Sequence, residues 1–355
     1  MKKKVFLISL ASLLAMGLVA LTSPAPALAK DKVIELIASY PLPGTGVVSE
    51  SLWHFCDLVE KKTNGAVHFK RYPGGQLASH AEHLALVGSG GADVATLLPS
   101  LFPDELHFTS MQHEQLTDVE TATRNLYYLW FDCPETAPFF REEWKKHNVL
   151  FLNVMANGEI GYLLTYKPVK TLADLKGIKM GTLSDDPYVK EFGMTSVVTT
   201  VPDIYEALSR NQVQGYMLSV SGFWHYKDYE VAKTYLDLGL SLVTGHLFMN
   251  LNTFNKLPYP IKKVFLYAGR ETTEFSIPLA IKEANQAKEV FKQAGLDVNV
   301  LPRDEQVRHF KSFFNDWEEE FLERGKKKGI LEQSKTVVKI YKDLLGGKDN
   351  FLRYP

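Results

Sequence analysis

Few side chains in this sequence are spaced for chemistry. His80-Ala81-Glu82-His83 sets two histidines at i, i+3 on a helical pattern, a spacing that can ligate a metal. No third ligand is clustered nearby, and solvated helix-surface histidines are commoner than ligands. Gly88-Ser89-Gly90-Gly91 is glycine-rich like a phosphate loop, but no Lys-Ser/Thr pair follows and a strand comes next, so it reads as a turn. Asp185-Asp186-Pro187 precedes a short helix, where carboxylates can simply cap the N-terminus. The mixed charges of Trp317–Lys328 suit a solvated helix face. G-x-S-x-G, H-E-x-x-H, Walker and C-x-x-C patterns are absent. Without a nucleophile–base pair or a metal set, the expectation is a protein that is not an enzyme and needs no cofactor.

The two cysteines, 56 and 133, cannot form a disulfide framework. Leu52, Phe55, Cys56 and Val59 fall at i, i+3, i+4, i+7, so Cys56 is expected on the buried face of a helix, as a free thiol. Whether it meets Cys133 is left open.

These groups need elements to position them. Hydrophobic periodicity predicts a strand over 33–39, a helix over 47–62, a strand over 67–71, a helix near 80–87 and a strand over 93–97. Helical patterns return over 119–131 and 134–146, and 149–154 reads as a strand. A second set follows: strands over 162–165, 178–180 and 213–218, with a helix opened by Pro202 and running through Leu208. One long helical pattern spans 258–294 and holds Pro278, which should kink it; another covers 303–345. This alternation predicts α/β layers with mainly parallel pairing.

The chain has 355 residues, 45% of them hydrophobic, with 40 basic against 41 acidic side chains. That is an ordinary globular composition, long enough for two domains, with no basic run to suggest a nucleic-acid partner. Residues 1–29 read as a cleavable signal peptide: Lys2–Lys4, an apolar stretch from Val5 to Leu21, then Ala27-Leu28-Ala29. Removing them takes three lysines and leaves a formal charge of −4. The mature chain has no later segment approaching 18 apolar residues, so no membrane insertion is expected; the expected location is the periplasm.

Several segments, in order, resemble the DctP-type extracytoplasmic solute-binding proteins of TRAP (tripartite ATP-independent periplasmic) transporters. They are Ala66–Phe69 followed by Tyr72-Pro73-Gly74-Gly75-Gln76-Leu77, Val87-Gly88 to Ala92-Asp93-Val94, and Lys170-Thr171-Leu172-Ala173-Asp174-Leu175-Lys176-Gly177-Ile178-Lys179. Ile204–Leu208, Val213-Gln214-Gly215, Tyr229–Lys233 and Asn255-Lys256-Leu257-Pro258 continue the series. The resemblance implies an α/β, two-lobed, periplasmic-binding-protein-like fold with a hinge and a long Pro-kinked helix crossing both lobes. It implies lobe I from 30–156 plus 244–283, lobe II from 157–243 plus 284–355, and a ligand cleft between them. The implied partners are a small organic solute and the membrane permease subunits; the alternatives are a receptor that presents its ligand to a membrane sensor and, less favoured, a periplasmic enzyme on a similar two-lobed frame.

The departures from the family pattern bear on the ligand. An arginine that pairs with a substrate carboxylate normally follows the D-L-K-G-[LI]-K segment; here Lys179-Met180 is followed by Gly181. A second arginine found in some members would fall near Ile160 or Gly161, and Leu218 stands where an Asn is often found. As aligned, the resemblance implies an apolar cleft of Leu98, Ile160, Gly161, Gly181, Val201, Leu218 and Leu240, with Tyr40, His80, Glu159 and Asp185 as polar candidates. A neutral, aromatic or cationic solute is the expectation. Arg71, Arg124 and Arg141 are the alternative anchors for an acid.

Overall fold

The computed structural model describes residues 33–42, 46–111, 114–166, 168–182 and 187–345. The expected signal peptide and Asp185 lie outside them.

In chain order, β1 (Ile34–Ser39), α1 (Val47–Lys62), β2 (Val67–Tyr72), α2 (His83–Ser89) and β3 (Val94–Leu97) form two strand–helix–strand units. A two-residue β4 (Glu114–Gln115) precedes α3 (Val119–Tyr127), α4 (Ala137–Lys146) and β5 (Val149–Phe151). Then come β6 (Ala156–Leu164), β7 (Lys179–Thr182), α5 (Pro187–Glu191), β8 (Thr195–Val198), α6 (Ile204–Ser209), β9 (Gly215–Ser219) and α7 (Val220–His225). The chain finishes with β10 (Thr234–Val243), β11 (His246–Asn250), α8 (Leu251–Lys256), α9 (Tyr259–Gln293), β12 (Asp297–Val300), α10 (Arg303–Lys327) and α11 (Leu331–Leu345).

The strands make two sheets. The first has the order β2-β1-β3-β11-β5; the second runs β12-β10-β6-β9-β7-β8, with β4 added on β10. Between β3 and β5 the chain lends β4 to the second sheet; it then passes over through residues 152–155, between β5 and β6, returns through Thr244-Gly245, between β10 and β11, and crosses again along α9 to β12. Pairing is less parallel than the alternation predicts. The βαβ units are parallel, but β6 and β10 pair antiparallel with each other, β6 does so with β9, and β11 with β3 and β5. The reason is that each of these antiparallel pairs includes β6 or β11, strands entered from the other sheet rather than through the crossover helix that parallel neighbours require.

α1 buries the face read from its spacing: Leu52, Phe55, Cys56 and Val59 are fully covered, against Phe69 and Phe265. Cys56 and Cys133 are both buried free thiols, and burial pushes the Cys56 thiol well above its usual range. α9 is 35 residues long, about 52 Å, and runs on through Pro278. Its first half packs on α1 through Phe265 and Ala268, its second on the second sheet through Ala284, Ala287 and Phe291. The helical pattern over 303–345 breaks into α10 and α11 at Gly329, whose φ of 71° no side chain adopts easily. Among the described residues no helix is long and apolar enough to cross a membrane.

Candidate functional site

In α/β sheets ligands gather beyond the carboxyl ends of parallel strands. Here Tyr40 and Leu98 directly follow β1 and β3 of the first sheet, while Gly181 and Leu218 sit one residue inside the ends of β7 and β9 in the second. The segments leaving β1 and β9 also meet: the His225 ring, at the end of α7, lies 3.2 Å from where a Cβ on Gly46 would be. His225 is held by Glu283 of α9, Nε2 to carboxylate 3.0 Å.

Tyr40 is 6% exposed; Ser49 hydrogen-bonds its hydroxyl, and burial and neighbouring Tyr226 push its pKa well up, so it acts as a neutral phenol. His80 lies in a 3-10 turn rather than the helix expected, partly exposed, its ring edge-on to His83 at 6.4 Å. Burial and His83 hold its pKa down to about 4, leaving it uncharged near neutrality. The pair does not present two free ligands, since His83 is fully buried with Nε2 3.0 Å from Ser39 Oγ and Nδ1 2.8 Å from the Ser79 carbonyl. Among the described residues no group of three His, Cys, Asp or Glu side chains could hold a metal ion.

In the second sheet the expected residues divide between its two faces. Ile160 and Leu240 are cross-strand partners, 3% and 2% exposed, packed in the larger core with Tyr162 and Leu236. Gly161 and Leu218 are also partners, but Leu218 belongs with Val201 to the cluster under α6, α7 and α9. Glu159 is ion-paired to Lys288 of α9, which also reaches Asp237 at 2.6 Å. Burial pulls the Lys288 pKa down, but the two carboxylates outweigh it and keep the ammonium charged. Glu159 therefore already has its counter-charge.

The two glycines are explained by what faces them. A Cβ on Gly181 would lie 2.5 Å from Cδ2 of Tyr216, its cross-strand neighbour on β9. Tyr216 is 1% exposed and pinned by its hydroxyl, which donates to the Thr199 carbonyl at 3.0 Å. A Cβ on Gly161 would meet the Tyr235 ring and the Leu236 carbonyl, each at 2.6 Å. Tyr235 is fully buried, and its hydroxyl has no hydrogen-bond partner among the described residues. Each glycine is thus roofed by a tyrosine. Sequence reasoning missed both rings, although a glycine inside a strand signals close approach by another group.

The other anchors considered for an acid are engaged elsewhere. Arg71 binds Asp57 and Glu60, Arg124 binds Glu120 and Glu274, and Arg141 donates to the Phe131 carbonyl. Sequence reasoning also missed Asp228, directly after Tyr226 and Lys227. It is 1% exposed, both carboxylate oxygens lack a partner among the described residues, and burial raises its pKa to about 7. A surface groove of about 460 Å³ between α5 and α10 is walled by Glu191, Arg308 and Lys311 and contains none of the residues expected at the site.

Two sheets, bridged by two short strand connections and one long helix, are the architecture of an extracytoplasmic solute receptor. A TRAP periplasmic solute-binding protein from Desulfovibrio salexigens with bound orotic acid superposes with a TM-score of 0.74 over 89% of this chain and 99% of its own, at 19% identity. A Bordetella pertussis extracytoplasmic solute receptor that binds pyroglutamic acid does so with a TM-score of 0.72 over 87% and 99%, at 18% identity. In sequence, a solute-binding protein of Albidiferax ferrireducens is 26% identical over 300 residues, 79% of this chain and 85% of that one. The profile of bacterial extracellular solute-binding protein family 7, DctP, matches residues 39–324, and the chain belongs to that family. It is a family of solute-binding receptors.

Proposed function

We propose that this protein is the periplasmic receptor of a TRAP transporter, closing two lobes around a small organic solute that is not held by a carboxylate–arginine pair. Delivery is to an ion-gradient-driven permease, and a neutral, aromatic or cationic solute is the favoured cargo. The lobes in this reading are 30–156 plus 244–283 and 157–243 plus 284–355, joined by a hinge. The site is drawn from Tyr40, His80, Leu98, Glu159, Gly161, Gly181, Asp185, Val201, Leu218 and Leu240.

The observation that carries the reading is Tyr216 lying over Gly181. A guanidinium clamp cannot be replaced by a glycine, which offers at most a backbone N–H, and here the space a longer side chain would cross is filled by a pinned ring. An acid sequestered there without a cation would cost several kcal/mol. Pyroglutamic and orotic acids, the solutes named for the two structural relatives, are carboxylic acids, so this receptor would differ from them in cargo class. The test is mass spectrometry of solute released by denaturing the purified receptor. A neutral or cationic compound in stoichiometric amount supports the reading; a stoichiometric carboxylate contradicts it.

A further inference from the structure

Eight large apolar side chains are exposed among the described residues, and three share one face of α9: Tyr259 at 69%, Leu266 at 51% and Tyr267 at 65%. With Lys263 and Arg270 they occupy positions i, i+4, i+7, i+8 and i+11, a continuous stripe about 16 Å long. The opposite face of the helix is already buried through Phe265, Ala268 and Thr272, so core packing does not account for the stripe. Both cations rest on aromatic faces: Lys263 Nζ is 4.6 Å from the Tyr259 ring centre, and the Arg270 guanidinium is 6.0 Å from that of Tyr127. The flanking carboxylates are matched elsewhere, Glu271 by Lys62 and Glu274 by Arg124. Tyrosine and arginine together are the composition of interface hot spots.

We propose that this α9 stripe is a docking surface for an acidic protein partner, the periplasm-facing surface of the TRAP membrane subunits; this rests on the transport reading above. Lys263 and Arg270 would meet carboxylates there, with Tyr259, Leu266 and Tyr267 supplying the apolar contact. A second copy of the chain fits less well, because a two-fold pairing would set Lys263 and Arg270 against their own equivalents. A lipid surface fits less well too, because helices that lie in a membrane interface bury a broad apolar face, and that face of α9 is spent on the core.

The test measures binding of fluorescent mature receptor to its cognate membrane subunits in phosphatidylcholine nanodiscs, against empty nanodiscs with and without phosphatidylglycerol. Lys263→Glu/Arg270→Glu and Tyr259→Ser/Tyr267→Ser change exposed positions, so melting temperature serves as the folding control. The proposal expects each double variant to weaken binding to the subunits at least tenfold at unchanged melting temperature. Wild-type affinity in both variants would overturn the docking surface and leave the transport reading intact. Wild-type receptor that fails to bind the subunits would overturn both. Equal binding to empty anionic nanodiscs would replace the proposal with a lipid surface, and self-association lost in the variants would replace it with a second copy.

Discussion

The roofed glycines of β6 and β7 and the segment that follows α7 treat polarity in opposite ways. Around Gly161 and Gly181 the second sheet closes on itself: Tyr235 and Tyr216 fill the space that a side chain at either position would take. At the end of α7 His225 holds Glu283 of α9, which is 4% exposed, and just beyond it Asp228 is buried with neither oxygen matched among the described residues. The nearby ammonium, Lys288, is committed to Glu159 and Asp237. The contrast is between positions closed by aromatic rings and a segment that keeps buried carboxylates, of which Glu283 is matched by His225 and Asp228 has no partner among the described residues.

The largest effect should come from forcing side chains under the tyrosine roofs. Gly161→Ala and Gly181→Arg should each cost at least about 3 kcal/mol, the upper range of overpacking, measured by urea unfolding. The two sites should then separate. Adding Tyr216→Ala should recover part of the Gly181→Arg loss, whereas Tyr235→Ala should rescue Gly161→Ala less, because the Leu236 backbone carbonyl also stands 2.6 Å from the new atom. Equal rescue would mean that the rings alone exclude side chains.

Asp228 comes next. Its folded pKa, about 7, lies above the ordinary carboxylate value, so the folded state binds the proton more tightly than the unfolded chain. Its contribution is fully present below about pH 4 and is lost as pH climbs to about 7, a change on the order of 4 kcal/mol. Asp228→Asn should flatten that part of the stability–pH curve and make the protein more stable than wild type at pH 8. A parallel shift of the whole curve would show that Asp228 ionises freely.

Lys288→Met leaves Glu159 and Asp237 facing each other without a cation. A loss of about 3 kcal/mol is expected, at the low end for a buried ion pair because Glu159 is partly exposed. Restoration of stability by the added change Glu159→Gln would confirm that repulsion is the cause. The smallest effects belong to the surface arginines: Arg71→Ala and Arg124→Ala should each cost under about 1 kcal/mol and leave solute affinity unchanged, by calorimetric titration. Loss of affinity in either would relocate the anchor and remove the contrast between the two regions.

Much of the fold is legible in the sequence because it is local. The i, i+3, i+4, i+7 spacing of α1 and the length of α9 follow from periodicity, and the buried faces agree. The antiparallel pairing of β6 and β10 is not local: it depends on where the chain re-enters a sheet, which spacing along the sequence does not encode. The site divides in the same way. Gly161 and Gly181 stand out as positions where a family arginine would be, but the rings covering them follow from strand register, and Tyr216 lies 35 residues beyond Gly181. Asp228 carries no signal in the sequence; only the packing around it buries both oxygens without a partner among the described residues.

The central claim is that the roofed glycines exclude a carboxylate-bearing solute. The most direct measurement is thermal shift of refolded, solute-stripped receptor against matched panels: small carboxylates, their amides, and aromatic or cationic compounds of the same size. Saturation at 100 times Kd adds about 2.7 kcal/mol, a rise of a few degrees for a chain of this length. The account predicts that rise only among the non-carboxylates. A rise with a carboxylate and none with its amide would contradict it, and would show that a group other than a residue at position 181 anchors the acid.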